Sequence, residues 1–464
     1  MINALDLLII FFYLALLLGM GGILSKREKL DDFFVAGRKV RTSFLIFTTV
    51  STSVGAGTLI AITAAAYDTG ISYALTAAIS IFVGYLLVAF LAPRIKKFGD
   101  DFKAHTLGDF YGARYSVKNQ ALVGIIILIS YFFWLALQFV AIASLLRVIT
   151  GWEFEVTLLL SALVTIIYTT LAGIKADIYT DIIQFLIITF VLFFLLMPLS
   201  LIKIGGFDAF ATLPPKYFNP FSFGGPEFFF GGIIFGIPFM LVSMEIWQRI
   251  YASTDPQSAK KVFLLSGLIN APFLIFPAFL GISAALLYPN LDRDLALFNL
   301  MKDLLPSGIL GLGFVGLLAA VMSTADSLIL VGSATILKDF YISIINPQAT
   351  EKQMLFLGRV FTLLFGLAGL TIAYAIPDIV QLQLIGAFTL LIFAPSVIGG
   401  LIWKKTTSKA SFLSVMSGFL VTIILIPTLP KTAFIPGFLV SLITLIIVSY
   451  LTKHSPTENV RLIK

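Results

Sequence analysis

Cysteine is absent from all 464 residues, which excludes a disulfide framework, thiolate chemistry and any Cys-ligated metal. Histidine is almost as scarce. His105 and His454 are the only two, and both fall in charged segments outside the apolar runs, so no buried imidazole relay is expected. Charged residues make up only 12% of the chain. Residues 1–6 contain no Lys or Arg, and the apolar run from Leu7 to Leu24 is too long for the core of a cleavable signal. It reads as a first membrane helix. No nucleophile–base set and no closed metal site stand out, so neither an enzyme nor a bound cofactor is expected.

What fills the chain instead is apolar length. It is 59% hydrophobic, with a mean hydropathy of +1.02, and its long apolar runs predict an all-α polytopic membrane protein embedded in a lipid bilayer. About thirteen spans are expected, near 4–24, 43–66, 71–93, 119–149, 156–173, 177–202, 229–250, 259–288, 308–336, 353–375, 379–402, 408–427 and 434–452. The loop after the first span holds Lys26, Arg27, Lys29, Arg38, Lys39 and Arg41, whereas Tyr67-Asp-Thr-Gly70 after the second holds no basic residue. Alternation puts Arg94, Lys96, Lys97, Lys260, Lys261, Lys404, Lys405, Lys453, Arg461 and Lys464 on the same rich side. The positive-inside rule then places the N-terminus outside the cell membrane and the C-terminus in the cytoplasm. This bias accounts for most of the net charge of +7 and requires no nucleic-acid partner.

One apolar stretch carries a concentration of polar groups: Gly316-Leu-Leu-Ala-Ala-Val-Met-Ser-Thr-Ala-Asp-Ser-Leu328. At about 100° per residue, Ala320, Ser323, Thr324 and Ser327 share one helix face and Asp326 sits at its edge. Hydroxyls alone often bond back to carbonyls one turn earlier. A carboxylate among them inside a membrane points to an ion or substrate path.

Two spans are interrupted. The second reads Thr48-Thr-Val-Ser-Thr-Ser-Val-Gly-Ala-Gly-Thr-Leu59, and the seventh Phe230-Gly-Gly-Ile-Ile-Phe-Gly-Ile-Pro-Phe239. Gly loosens a helix and Pro removes a backbone bond, which frees carbonyls and amides to act as ligands. Such small residues also serve helix packing. The breaks are five spans apart, however, and five is odd, so two five-span units carrying them face the membrane in opposite directions. Paired breaks in inverted halves mark a transporter site. In the sixth span, Gly173-Ile-Lys-Ala-Asp-Ile-Tyr-Thr-Asp-Ile-Ile-Gln184, Asp177 is expected to reach the membrane interface and Asp181 to lie one turn deeper.

These residues resemble the sodium:solute symporter family, whose inverted-repeat fold is shared with LeuT. The resemblance runs from Asp31-Asp-Phe-Phe-Val-Ala-Gly-Arg38 to Gly399-Gly-Leu-Ile-Trp-Lys-Lys405, and its most specific pieces are Gly173–Gln184, Gln248-Arg249 and Ala319–Ser327. It implies a 5+5 repeat with discontinuous helices 2 and 7. The units would be 1–42 (first helix and loop), 43–204 (repeat one), 205–405 (repeat two) and 406–464 (two further helices and tail). It also implies a sodium site between the second and ninth spans, from the carbonyls of Ser51, Val54 and Ala320 and the hydroxyls of Ser323 and Thr324. A second sodium site found in some members maps onto Asp181, Ser323, Asp326 and Ser327. One of its hydroxyl positions is Asp326 here, and Ser53 stands where some members carry an Asp.

The solute pocket implied by the resemblance takes Gly55, Thr58, Trp134, Gln138, Phe239 and Gln383 as candidates. The fourth span has no Arg or Lys before Arg147, so members that grip a carboxylate with an Arg there are poor guides. Glu245 is expected to form an inner-gate ion pair with a nearby basic residue rather than to hold solute. The functional expectation is a sodium-coupled symporter importing a small organic solute (amino acid, organic cation, sugar or carboxylate) by alternating access, with sodium as the coupling ion. A proton-coupled carrier of the same fold and a non-transporting membrane sensor are the alternatives.

Overall fold

Inside a bilayer every backbone N–H and C=O must find its partner within the protein, so long apolar runs resolve as helices. The computed structural model of the chain describes residues 3–24, 30–430 and 432–454, and these contain helices and no strand beyond an isolated bridge between Val40 and Ser253. Lys26, Arg27, Lys29, Arg461 and Lys464, used above for orientation, lie outside the described residues. The helices run α1 (Ala4–Leu24), α2 (Leu30–Val35), α3 (Thr42–Ser53), α4 (Ile62–Thr69), α5 (Ser72–Phe102), α6 (Leu107–Arg114), α7 (Val117–Thr150), α8 (Phe154–Thr189), α9 (Met197–Ile204) and α10 (Gly225–Gly236). They continue α11 (Phe239–Val242), α12 (Met244–Ala252), α13 (Pro256–Leu287), α14 (Ala296–Leu304), α15 (Leu310–Thr335), α16 (Glu351–Ala375), α17 (Ile379–Leu391), α18 (Ala394–Ile402), α19 (Ser408–Leu425) and α20 (Phe434–Leu451).

Among the described residues ten helical stretches are long and apolar enough to cross a membrane, and the pair α3 plus Gly57–Thr69, bent by 53°, makes an eleventh. Two of the thirteen expected spans are not among these. α1 is a continuous apolar helix whose stretch Ala4–Met20 is shorter than these, and residues 225–252 are divided among α10, α11 and α12. The fifth and sixth spans meet inside α8 at Gly173, whose φ of 63° and ψ of 168° interrupt the helix at a conformation that only glycine adopts cheaply.

The helix carrying the polar stretch is the one the others surround. Of the most apolar window of Leu310–Ile345, 94% is buried inside the protein, against 28% for Glu351–Ala375. α15 packs against α1, α3, α7, α8 and α16. Its small residues permit this: a Cβ on Gly316 would stand 2.8 Å from the Val191 side chain, and one on Gly311 would stand 2.6 Å from the Asp6 backbone. Asp6 is fully buried in α1 and accepts the amides of Gly308 (2.9 Å) and Gly311 (2.7 Å) at the start of α15. That carboxylate satisfies donors that a helix N-terminus otherwise leaves open.

Candidate ion and solute sites

The break in the second span is real and short. α3 ends at Ser53, Val54 leaves the helix at φ −100°, ψ 57°, and a π-helical turn begins at Gly57. The break releases carbonyls toward α15. Ser323 Oγ lies 3.1 Å from the Ser51 carbonyl and 2.9 Å from that of Ala320; Thr324 Oγ1 lies 2.7 Å from the Thr52 carbonyl and 3.3 Å from that of Ala320. Val54 joins through its amide, which donates to Ser51 O at 3.1 Å. Ser51, Ala320, Ser323 and Thr324 therefore meet at one point between the two helices, and Thr52 O is a carbonyl the sequence reading had not included. A Cβ on Gly55 would press on the Thr324 side chain, 2.8 Å from its Cβ, so the close approach of the break to α15 needs glycine there. These oxygens carry no formal charge. A hard monovalent cation fits such a set of carbonyls and hydroxyls.

About a turn along α15 the chemistry changes from neutral to charged. Asp177 and Asp181 of α8, Asp326 of α15 and Arg249 of α12 are all buried at one junction. Arg249 Nη2 lies 3.5 Å from Asp177 Oδ2 and 3.5 Å from Asp181 Oδ2. It is also 2.5 Å from Thr52 Oγ1, 2.9 Å from Ser327 Oγ and 3.0 Å from Thr48 Oγ1. Ser327 Oγ donates to Asp177 Oδ2 at 3.0 Å, and Thr48 donates to Asp181. One carboxylate oxygen from each of the three Asp falls within 4.8 Å of the others. Asp177 Oδ1, Asp181 Oδ1 and Asp326 Oδ2 have no hydrogen-bond partner among the described residues.

The second set of expected ligands is thus brought together in part. Asp181, Asp326 and Ser327 share this junction, but Ser323 faces the break instead. Asp177 does not reach the interface, because α12 brings Arg249 across to it and the pair is fully buried. Thr48, Thr52 and Arg249 are the residues sequence reading missed. The fourfold spacing of Thr48 and Thr52 was a signal, since it puts two hydroxyls on one face of α3.

The six solute candidates, Gly55, Thr58, Trp134, Gln138, Phe239 and Gln383, line one cavity of ≈ 100 Å³. A neighbouring cavity of ≈ 150 Å³ shares Gly57, Thr58, Phe239 and Gln383 with it and extends past Tyr73 and Phe228. Within the first, Gln138 is already engaged: its Oε1 accepts the Ala56 amide at 3.0 Å, so it steadies the break. Trp134 meets Phe239 edge to face at 5.3 Å, and its indole N–H reaches the Gln383 carbonyl at 3.4 Å. Glu245 also lines this cavity. Its carboxylate accepts the Tyr131 hydroxyl and, among the described residues, pairs with no basic side chain. The expected gate ion pair is absent because Arg249, one turn on, turns its Nη2 to Asp177 and Asp181 and offers Nη1 only to the Glu245 carbonyl, at 3.3 Å.

Comparison with known proteins agrees with this architecture. The chain is 28% identical to sodium/proline symporter 2 of Staphylococcus saprophyticus, covering 96% of this chain and 92% of that one. It is 27% identical to the sodium/proline symporter of Staphylococcus aureus strain NCTC 8325, with the same coverage. Among solved structures, a Na+-coupled sialic acid symporter in a substrate-bound outward-open state matches with TM-score 0.83, at 18% identity over 98% of this chain and 99% of that one. Mhp1, a nucleobase-cation-symport-1 family transporter in a closed conformation, matches with TM-score 0.60, at 13% identity over 92% and 96%. At such identities the two structures speak for the fold. The model of the sodium:solute symporter family matches residues 33–418, and with the helical architecture above this establishes that the chain is a multi-pass membrane protein belonging to that family of carriers, not of enzymes.

Proposed function

We propose that the protein is a sodium-coupled symporter that imports a small organic solute by alternating access. The observation that carries this reading is the meeting of Ser323 and Thr324 with the carbonyls of Ser51 and Thr52 across the break. Sodium held there ties α3 to α15. A solute in the adjoining cavity touches the same break, so each ligand favours the conformation that binds the other, and the coupling is reciprocal. The sodium ligands are Ser51, Val54, Ala320, Ser323 and Thr324; Asp181, Asp326 and Ser327 serve a second cation. The inverted repeats are residues 43–204 and 205–405, flanked by 1–42 and 406–464. The distribution of Lys and Arg supports an outside N-terminus and a cytoplasmic C-terminus in the cell membrane.

The test is thermal unfolding of the detergent-purified protein in sodium chloride and in potassium chloride at matched ionic strength. Sodium at a hundred times its dissociation constant adds about 2.7 kcal/mol to a protein that binds it only when folded. Wild type should show that sodium-specific rise, and the Ser323→Ala, Thr324→Ala double variant should lose it while unfolding cooperatively. Equal unfolding in the two salts would remove the sodium reading. A rise that instead tracks pH and disappears in Asp181→Asn would put a proton in its place.

A further inference from the structure

We infer that the solute carries a cationic nitrogen and that Glu245 receives it, an inference that rests on the carrier reading above. The cavity is lined by two charged side chains, Glu245 and Arg249. Arg249 is committed to the buried acidic junction, with its Nε left without a hydrogen-bond partner among the described residues. Its Nη2 is engaged by Asp177, Asp181, Ser327, Thr48 and Thr52, and its Nη1 by a backbone carbonyl. Asp177 and Asp181 both stand 3.5 Å from that one guanidinium, so its charge is already compensated and an anionic solute gains little from it.

Glu245 is held in a way that leaves it available. Tyr131 donates its hydroxyl proton to the carboxylate and accepts the Met244 amide at 2.7 Å, which fixes the acid at the first turn of α12. Tyr131 lies 5.5 Å from Trp134 between ring centroids, and Trp134 lies 5.3 Å from Phe239. Three aromatic rings therefore stand beside one carboxylate. Ring faces and a carboxylate both attract a cation, and both do so more strongly where water is excluded. A second, independent feature faces the same space. Tyr85 is fully buried, lines the cavity, and its hydroxyl has no partner among the described residues. Buried hydroxyls are nearly always bonded, and this one, with Ser53 and Asn270 as its polar neighbours, can also turn to a ligand oxygen. Ammonium at Glu245 and the rings, with an oxygen toward Tyr85, is the solute these groups describe.

The experiment measures binding to detergent-purified full-length protein in sodium chloride, by calorimetry, for four probes. They are choline, its uncharged isostere with tert-butyl in place of trimethylammonium, proline, and N-acetylneuraminate, an acid without an ammonium. Choline or proline should bind, and the uncharged isostere and N-acetylneuraminate should not. Glu245→Gln should weaken the bound ammonium about tenfold or more, with Glu245→Asp recovering part of the loss. Retention of the sodium-dependent thermal shift shows that a variant is folded. Trp134→Leu, which leaves the charge in place, should cost choline more than it costs sodium. The inference is overturned if the isostere matches choline, if N-acetylneuraminate is preferred, if Glu245→Gln binds as wild type does, or if no probe binds while the sodium shift is present. A missing sodium shift removes the sodium coupling instead, and the same probes in potassium chloride then decide the role of Glu245 by the same criteria.

Discussion

Two polar regions share α3 and α15 within about a turn of each other, and they solve the burial problem in opposite ways. At the break, Ser51, Thr52, Ser323 and Thr324 offer carbonyls and hydroxyls that satisfy one another and hold no charge. At the neighbouring junction, Asp177, Asp181 and Asp326 surround Arg249, which is a cation built into the chain. A neutral set can take up and release an ion without leaving a stranded charge when the ion departs. The charged set cannot lose its guanidinium, because three buried carboxylates would remain. The first suits an exchangeable ion, and the second suits a permanent tie between α8, α12 and α15 that leaves unpartnered oxygens for one more cation.

The largest effect that would break this contrast is expected from Arg249→Met. Removing one partner of a buried charge cluster should cost about 3–5 kcal/mol, seen as loss of monodisperse folded protein or a large fall in unfolding temperature. An intact, stable Arg249→Met protein would mean that the junction is not held by charge. Next is Gly55→Ala at the neutral site. The added methyl meets Thr324 at 2.8 Å from its Cβ, and such overpacking should cost about 1–3 kcal/mol. The sodium-specific thermal shift should be lost with it, whereas Gly19→Ala, where a Cβ meets nothing within 4 Å, should keep that shift.

Asp326→Asn sharpens the comparison by its sign. It removes one of three clustered acidic side chains without removing the cation, so unfolding should be unchanged or up to about 1 kcal/mol more favourable to the fold. A loss resembling that of Arg249→Met would assign Asp326 a structural role. The smallest effect lies outside the membrane, at an exposed carboxylate. Asp255 caps α13 by accepting the Ser258 and Gln257 amides, both at 2.9 Å, and the Ser258 amide above all holds its carboxyl below the usual carboxylate range. A depressed folded value means the contribution is present above the unfolded value of about 3.9 and is lost as pH falls through the folded one. Asp255→Asn preserves the cap geometry, so it should leave stability at neutral pH within about 0.5 kcal/mol. Its unfolding below pH ~4 should be flatter than that of wild type.

The two regions also differ in how legible they were. Gly55 and Gly57 amid hydroxyls, with Ser323 and Thr324 on one face of a single helix, are local patterns. Helical periodicity is enough to line them up, and the structure brings four of the five expected ligands together at the break. The charged junction is assembled from α8, α12 and α15, with Thr48 and Thr52 from α3. No periodicity links Arg249 to Asp177, so Asp177 read as an interfacial charge. Glu245 was misread for the same reason. One turn from Arg249 it read as half of an ion pair, but the guanidinium is drawn away by two carboxylates from another helix, and Tyr131 of α7 takes its place.

By itself the sequence determined the class of protein, the helical runs and the two interrupted spans. Those follow from the cost of burying backbone polar groups in lipid and from what Gly and Pro do to a helix, and both act over short stretches of chain. The tertiary structure alone decided which charges neutralise one another and which remain to meet a ligand. Charge pairing depends on distances between helices far apart in sequence, and at low dielectric a few ångströms change which partner an arginine takes.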